Sequence, residues 1–92
     1  MFVADGHDVV TLWQVDGPAS CVAFDRRYNI GLHHLALKVA NLAGHYALYA
    51  RVAAWPGVVV EFAPEPLGKG LKIHCMREPG GVRLEFAVLP QA

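Results

Sequence analysis

Charge is scarce in this sequence. Asp, Glu, Lys and Arg make up 17% of the 92 residues, and the formal net charge is zero. A nucleic-acid-binding domain carries a basic face, so this composition argues against nucleic acid as a partner. Hydrophobic residues make up 54% of the chain. That share is high for one small domain and indicates apolar surface that a partner covers.

Cysteines and long apolar runs are scarce as well. Cys21 and Cys75 do not form a metal-type pair and are too few for a disulfide framework, so we expect two reduced thiols in a cytoplasmic protein. The opening residues, MFVADGHD, lack the segments of a secretory signal. No apolar run approaches the ~20 residues of a membrane span. A Ser-His-Asp arrangement, a P-loop and a dinucleotide fingerprint are also missing.

The first 30 residues predict a hairpin followed by a connector. Asp5-Gly6 is typical of a hairpin turn, and residues 9–15 are rich in β-forming side chains. Asp16-Gly17-Pro18 ends the second strand. Residues 16–30 form the connector, whose tight charge cluster, Asp25-Arg26-Arg27, is interpreted as a solvated turn.

Residues 31–90 predict an α+β unit with a strand, a helix and three more strands. Asn41 is a plausible N-cap, and Trp55-Pro56-Gly57 ends the helix. The predicted strands are 31–39, 58–62, 71–76 and 82–88, the helix is 42–54, and 63–70 is a Pro/Gly loop.

Alternation along the strands predicts two different sheet faces. One face packs under the helix, whose predicted core stripe is Leu42, Tyr46, Tyr49, Val52 and Ala53. His33, Ile73 and Cys75 are expected on that face, and His45 is expected to be exposed. The other face is predicted to carry His34, Lys38, His74, Arg83 and Glu85. This number of polar side chains predicts either a solvent-exposed surface or the base of a binding site.

The motif order resembles the vicinal oxygen chelate superfamily, which includes glyoxalase I, bleomycin-resistance proteins and extradiol dioxygenases. The residues that carry the resemblance are GLHHLALKV at 31–39, Tyr49-Ala50-Arg51-Val52, Val60-Glu61-Phe62 and EPGGVRLEF at 78–86. The resemblance covers residues 29–90, and the hairpin Asp5 to Val15 looks like the end of a preceding module. It implies a βαβββ module that pairs with another module around a cup.

The resemblance also implies a site. Where members of that superfamily bind a metal, a His on the first strand and a Glu on the last strand are common ligands, which match His34 and Glu85. An imidazole and a carboxylate suit a divalent ion such as Zn, Ni, Fe or Mn. Such an ion acts as a Lewis acid on adjacent substrate oxygens in a lyase or isomerase. The predicted substrate contacts are Lys38, His74, Glu61, Arg83 and Thr11.

The chain departs from the family pattern at its front. The strand and helix of a first module are missing, and Thr11 aligns with the position of Glu85. One chain therefore supplies two metal ligands. We expect a homodimer, in which symmetry brings two copies each of His34 and Glu85 together.

Two other interpretations stay open. The cup can hold a ligand without metal, as in the drug-sequestering branch, with Trp13, Val59, His74 and Met76 as its lining. The chain can also be a shortened, inactive relative that dimerises through its exposed strand edges. If no metal is bound, His34 is only a polar residue of the cup, and Glu85 pairs with Arg83 or Lys38. His74 is suited to general acid–base chemistry by its unperturbed pKa near neutrality, although a structural or ligand-contact role is the favoured interpretation.

Overall fold

A computed structural model describes residues 1–66, 68 and 72–89. The elements in chain order are strands β1 (Phe2–Ala4) and β2 (Val9–Thr11), one turn of 3-10 helix (Pro18–Ser20), strand β3 (Leu35–Lys38), helix α1 (Leu42–Ala53), and strands β4 (Val59–Pro66), β5 (Lys72–Arg77) and β6 (Arg83–Val88). The predicted α+β class is confirmed. The predicted start of β5, Leu71, and the predicted end of the whole α+β unit, Pro90, lie outside the described residues.

The larger sheet has the strand order β3-β6-β5-β4. β3 is parallel to β6, and the other two pairings are antiparallel. α1 connects β3 to β4 and packs on β4, β5 and β6. Among the described residues, no helix is long and apolar enough to cross a bilayer.

The N-terminal hairpin is confirmed and stands apart from this sheet. The Asp5 carboxylate accepts hydrogen bonds from the backbone N–H groups of His7 and Asp8, both at 2.8 Å, and Gly6 has a φ of 95° that favours glycine. β2 ends at Thr11, earlier than predicted. Among the described residues, the hairpin contacts neither α1 nor the larger sheet. Its apolar side chains are therefore left in solvent.

α1 begins as predicted but is rotated about its axis. Asn41 accepts a hydrogen bond from the Gly44 N–H at 2.8 Å, which confirms the N-cap. Leu42 and Tyr46, predicted to be buried, are half exposed, whereas His45, predicted to be exposed, is fully buried. The helix is rotated so that the His45 ring contacts two polar groups inside the protein, His74 and the Phe86 carbonyl. The inward face is His45, Leu48, Tyr49 and Val52.

The β4 strand is longer than predicted, because it includes residues 63–66 of the predicted loop. It lies at the edge of the sheet. A proline is tolerated there because it lacks a backbone N–H, and an edge strand does not need every N–H for pairing. Its pairing with β5 is irregular between Val60 and Phe62 and again between Phe62 and Glu65. Irregular pairing of this kind bends a strand and changes the direction of its side chains, here between Val60 and Glu65.

The face assignment of β5 is wrong. His74 pairs with Phe86 and contacts His45 of α1, so it lies under the helix and not on the other face. Cys75 pairs with Glu85 and therefore lies away from the helix. Alternation separates two sets of side chains, but it does not tell which set faces the helix. We call the face away from α1 the open face; it carries His34, Lys38, Ile73, Cys75, Arg83 and Glu85.

Candidate functional site

Two adjoining pockets lie on the open face, where residues 24–34 run beside the strands. The smaller has a volume of about 180 Å³, and the larger about 400 Å³. They share Arg26, Phe62 and Arg83. The smaller pocket is lined by Arg26, His33, His34, Phe62, Glu65, Ile73, Cys75, Arg83 and Glu85. The larger is lined by Phe24, Asp25, Arg26, Arg27, Glu61, Phe62, Arg77 and Arg83.

The two predicted metal ligands lie together in the smaller pocket. His34 Nε2 is 3.8 Å from Glu85 Oε2, too far for a hydrogen bond. Both side chains are partly accessible, at 36% for His34 and 23% for Glu85. β3 is parallel to β6 with Ala36 opposite Glu85, which brings the start of β3 close to that carboxylate. The sheet register therefore produces the predicted pair.

Arg83 is the best-anchored charge of the site, since it is only 6% exposed. Its Nε and Nη2 donate to the Glu61 carboxylate at 2.7 to 3.0 Å, and its Nη1 donates to the His33 carbonyl at 2.9 Å. These hydrogen bonds lower the pKa of Glu61 below its usual value and raise that of Arg83. Glu61 and Arg83 thus bind each other, where the sequence predicted two substrate contacts.

His33 joins this network, so its predicted place under the helix is wrong. It precedes β3, and strand alternation does not extend to it. Its Nδ1 lies 2.9 Å from Arg83 Nη1 and 2.8 Å from His34 Nδ1. Burial and the neighbouring Arg83 lower the pKa of His33, which favours the neutral ring.

These contacts favour one protonation of His34. A guanidinium can only donate, and Arg83 Nη1 is nearer to His33 Nδ1, at 2.9 Å, than to His33 Nε2, at 3.2 Å, which favours Nδ1 as the acceptor. His34 Nδ1 must then carry the hydrogen in the contact between the two rings. The Nε2 lone pair of His34 is left free on the side of Glu85. A backing hydrogen bond of this kind orients metal-binding histidines in general.

Cys75 lines the smaller pocket without the properties of a nucleophile. It is buried, and burial raises the pKa of its thiol. Its place next to Glu85 follows from the corrected orientation of β5. Cys75 therefore lines the pocket as a small, uncharged side chain.

His74 and His45 form a separate buried pair between α1 and the sheet. His74 Nδ1 lies 3.0 Å from His45 Nε2, which also lies 3.1 Å from the Phe86 carbonyl. The Phe86 carbonyl can only accept, so His45 Nε2 carries a hydrogen, which it shares between that carbonyl and His74 Nδ1. The hydrogen of the neutral His74 ring is therefore on its Nε2. That nitrogen and His45 Nδ1 are buried without a partner among the described residues. Both rings are fully buried, so His74 is not a substrate contact on the open face.

The remaining predicted contacts are scattered. Lys38 is exposed on β3, opposite Ala87 and beyond the pockets. Thr11 is exposed in the isolated hairpin. Neither side chain lines either of the two pockets described above. The open face therefore brings together only His34, Glu61, Arg83 and Glu85 of the predicted site residues.

Sequence reasoning missed three arginines of the larger pocket. Arg26 and Arg27 belong to the charge cluster interpreted as a solvated turn, and Arg77 ends β5. The charge cluster Asp25-Arg26-Arg27 was the feature of the sequence that could have indicated these pocket residues. Its position over the sheet depends on the path of the connector, which local sequence patterns do not specify.

Comparisons with known proteins leave the family of this chain undetermined. The resemblance to the vicinal oxygen chelate superfamily stays a prediction from the sequence. No family model matches the chain, no curated protein matches its sequence, and no solved structure matches its fold.

Proposed function

We propose that the protein binds a small oxygenated molecule on its open face and acts as a glyoxalase-like lyase or isomerase. In this proposal, His34 and Glu85 of two copies hold one divalent metal ion. The observation that carries it is the pair itself, in which His34 Nε2 lies 3.8 Å from a carboxylate oxygen of Glu85.

The distance between the two side chains fits a shared ion. Zinc–nitrogen and zinc–oxygen bonds are about 2.1 Å long, so two ligands at a tetrahedral angle lie about 3.4 Å apart. The observed 3.8 Å reaches that value with a small side-chain rotation. The donor set is borderline, which suits zinc, nickel, iron or manganese.

A second copy would complete the ligand set. The described residues of one chain contain no group of three or more His, Cys, Asp or Glu side chains that could hold an ion. A twofold axis beside the pair doubles it to two imidazoles and two carboxylates. The proposal therefore requires a homodimer.

The chain's own residues prepare the pair for binding. Arg83 fixes His33, and His33 accepts the Nδ1 hydrogen of His34, so the His34 ring is oriented before any ligand arrives. Glu61 neutralises Arg83, which reduces the repulsion of a cation at this pair, while Arg26 in the lining of the same pocket keeps its charge. A bound ion would supply Lewis-acid polarisation of substrate oxygens.

Metal binding to untagged protein tests this proposal. We expect calorimetric titration with Ni²⁺ or Zn²⁺ to give one ion per two chains. His34→Ala should abolish binding at micromolar metal, and His33→Phe should weaken it about 10-fold or more through loss of the backing hydrogen bond. His7→Ala, in the exposed hairpin turn, is the matched control. No binding, or equal loss in the control, would contradict the proposal.

Self-association is expected to depend on the exposed hairpin. Trp13, just after β2, is 87% exposed, and Phe2 and Val3 of β1 are also exposed. A second copy that covers these side chains removes apolar surface from water. Sedimentation velocity should show a dimer, and Trp13→Gln should weaken it by about 10-fold. Trp55→Gln, at another exposed tryptophan, should leave it unchanged. A monomeric wild-type protein would exclude the shared site.

A non-catalytic small-molecule binder is the second candidate. It is favoured by the two adjoining pockets, whose volumes of about 180 and 400 Å³ offer space for an organic ligand. The metal titration separates the two candidates, because a simple binder takes up its ligand without an ion.

A further inference from the structure

The larger pocket of the open face concentrates positive charge. Four of the protein's five arginines line it, with Asp25 and Glu61 as the only carboxylates in the lining. Two positive charges are therefore in excess at one place in a chain whose net charge is zero. A cleft lined mostly by charges of one sign strengthens their attraction for an anion.

The arginines have different roles. Arg83 is buried and bound to Glu61, so it forms the fixed floor of the pocket. Arg26, Arg27 and Arg77 form no ion pair within the described part of the chain. The hydrogen bonds from Arg83, followed by the positive charges of Arg26 and Arg77, lower the pKa of Glu61, and all four residues line this pocket.

Two aromatic rings form apolar walls. Phe62 of β4 lines both pockets, and Phe24 of the connector, which lines the larger one, is half buried. Gly31 allows this position of Phe24, since a Cβ there would lie 3.0 Å from the ring. A volume of about 400 Å³ accepts a small organic molecule.

We infer that this pocket binds a small organic acid, with its carboxylate at Arg26, Arg27 and Arg77 and its apolar body between Phe24 and Phe62. Guanidinium groups match carboxylates in geometry and bind them by two parallel hydrogen bonds. The apolar walls favour an acid with a hydrocarbon or aromatic body over inorganic phosphate. The inference rests on this pocket alone and does not require a metal ion.

Benzoate and its neutral analogue benzamide test the inference. Amide chemical shifts of the untagged protein are followed by NMR at low salt with EDTA present, so that failure of the metal proposal does not affect the result. We expect benzoate to bind with a millimolar or lower Kd and shift the amides around the pocket. Benzamide should bind at least ~10-fold more weakly, and inorganic phosphate more weakly than benzoate.

Substitutions then locate the anion. Arg77→Gln should weaken benzoate binding about 5-fold, and the Arg26→Gln/Arg77→Gln double variant further. Arg51→Gln removes the same charge from the exposed face of α1 and should have no effect. Equal binding of benzamide, tighter binding of phosphate, no shift with benzoate, or equal loss in Arg51→Gln would each overturn the inference.

Discussion

The protein is expected to lose about 3 kcal/mol of unfolding free energy between pH 7 and pH 4 through His74 alone. Burial, followed by the charge of His45, lowers the pKa of His74 from 6.5 to about 4. The unfolded chain takes up this proton near pH 6.5 and the folded chain only near 4, so stability falls with pH across that window. One pKa unit corresponds to about 1.4 kcal/mol.

The surroundings of His74 offer no compensation for a positive charge. The titratable side chains facing it from α1 are His45 and Tyr49, and from β6 it meets the ring of Phe86. None of these is an anion near neutral pH. Urea unfolding followed by circular dichroism at pH 7, 6, 5 and 4 measures the effect.

His74→Leu is the variant that isolates this contribution. It should remove the 3 kcal/mol dependence and leave stability at pH 7 unchanged or higher, because it also removes a buried N–H without an acceptor. His7→Gln, in the solvent-exposed turn, should behave like the wild type. The same acid loss in His74→Leu and in the wild type would show that other groups cause it.

Arg83→Ala is expected to cost about 3 kcal/mol of stability at pH 7. It leaves the Glu61 carboxylate, only 18% exposed, without its 2.7 Å ion-pair partner. It also removes the hydrogen bonds to His33. Breaking a buried pair from one side is costly because the remaining charge stays desolvated. Chemical denaturation at pH 7 measures the loss.

The double variant separates the pair from simple packing. Arg83→Met with Glu61→Leu removes both charges and should recover most of the stability lost in Arg83→Ala. Arg51→Ala, on the exposed side of α1, should change stability by less than ~0.5 kcal/mol. If the double variant is as unstable as the single one, the charge of Glu61 is not the cause.

Local signals explain the parts of the fold that could be predicted. Asn41 starts α1 because its side chain bonds the first turn, and that bond depends on neighbours within three residues. His34 lies just before β3, and the parallel register of β3 with β6 brings it close to Glu85, as the resemblance to the superfamily implies. The N-cap needs only the local sequence, whereas the meeting of His34 and Glu85 also needs the order of the elements.

The errors came from contacts between distant residues. His45 is buried because it meets His74 and the Phe86 carbonyl, 29 and 41 residues further along the chain. The orientation of β5 depends on its pairing with β6, and apolar Ile73 and Cys75 look equally suited to either face. The arginine pocket required the path of the connector over the sheet. Periodicity within one element carries none of this information.

A crystal structure of the nickel-loaded protein, with anomalous scattering recorded at the nickel edge, tests the central claim most directly. The account predicts one nickel peak on a twofold axis, bound by His34 Nε2 and a Glu85 carboxylate oxygen from each of two copies. A dimer in which these pairs lie too far apart to share an ion, or a peak at other residues, would contradict it.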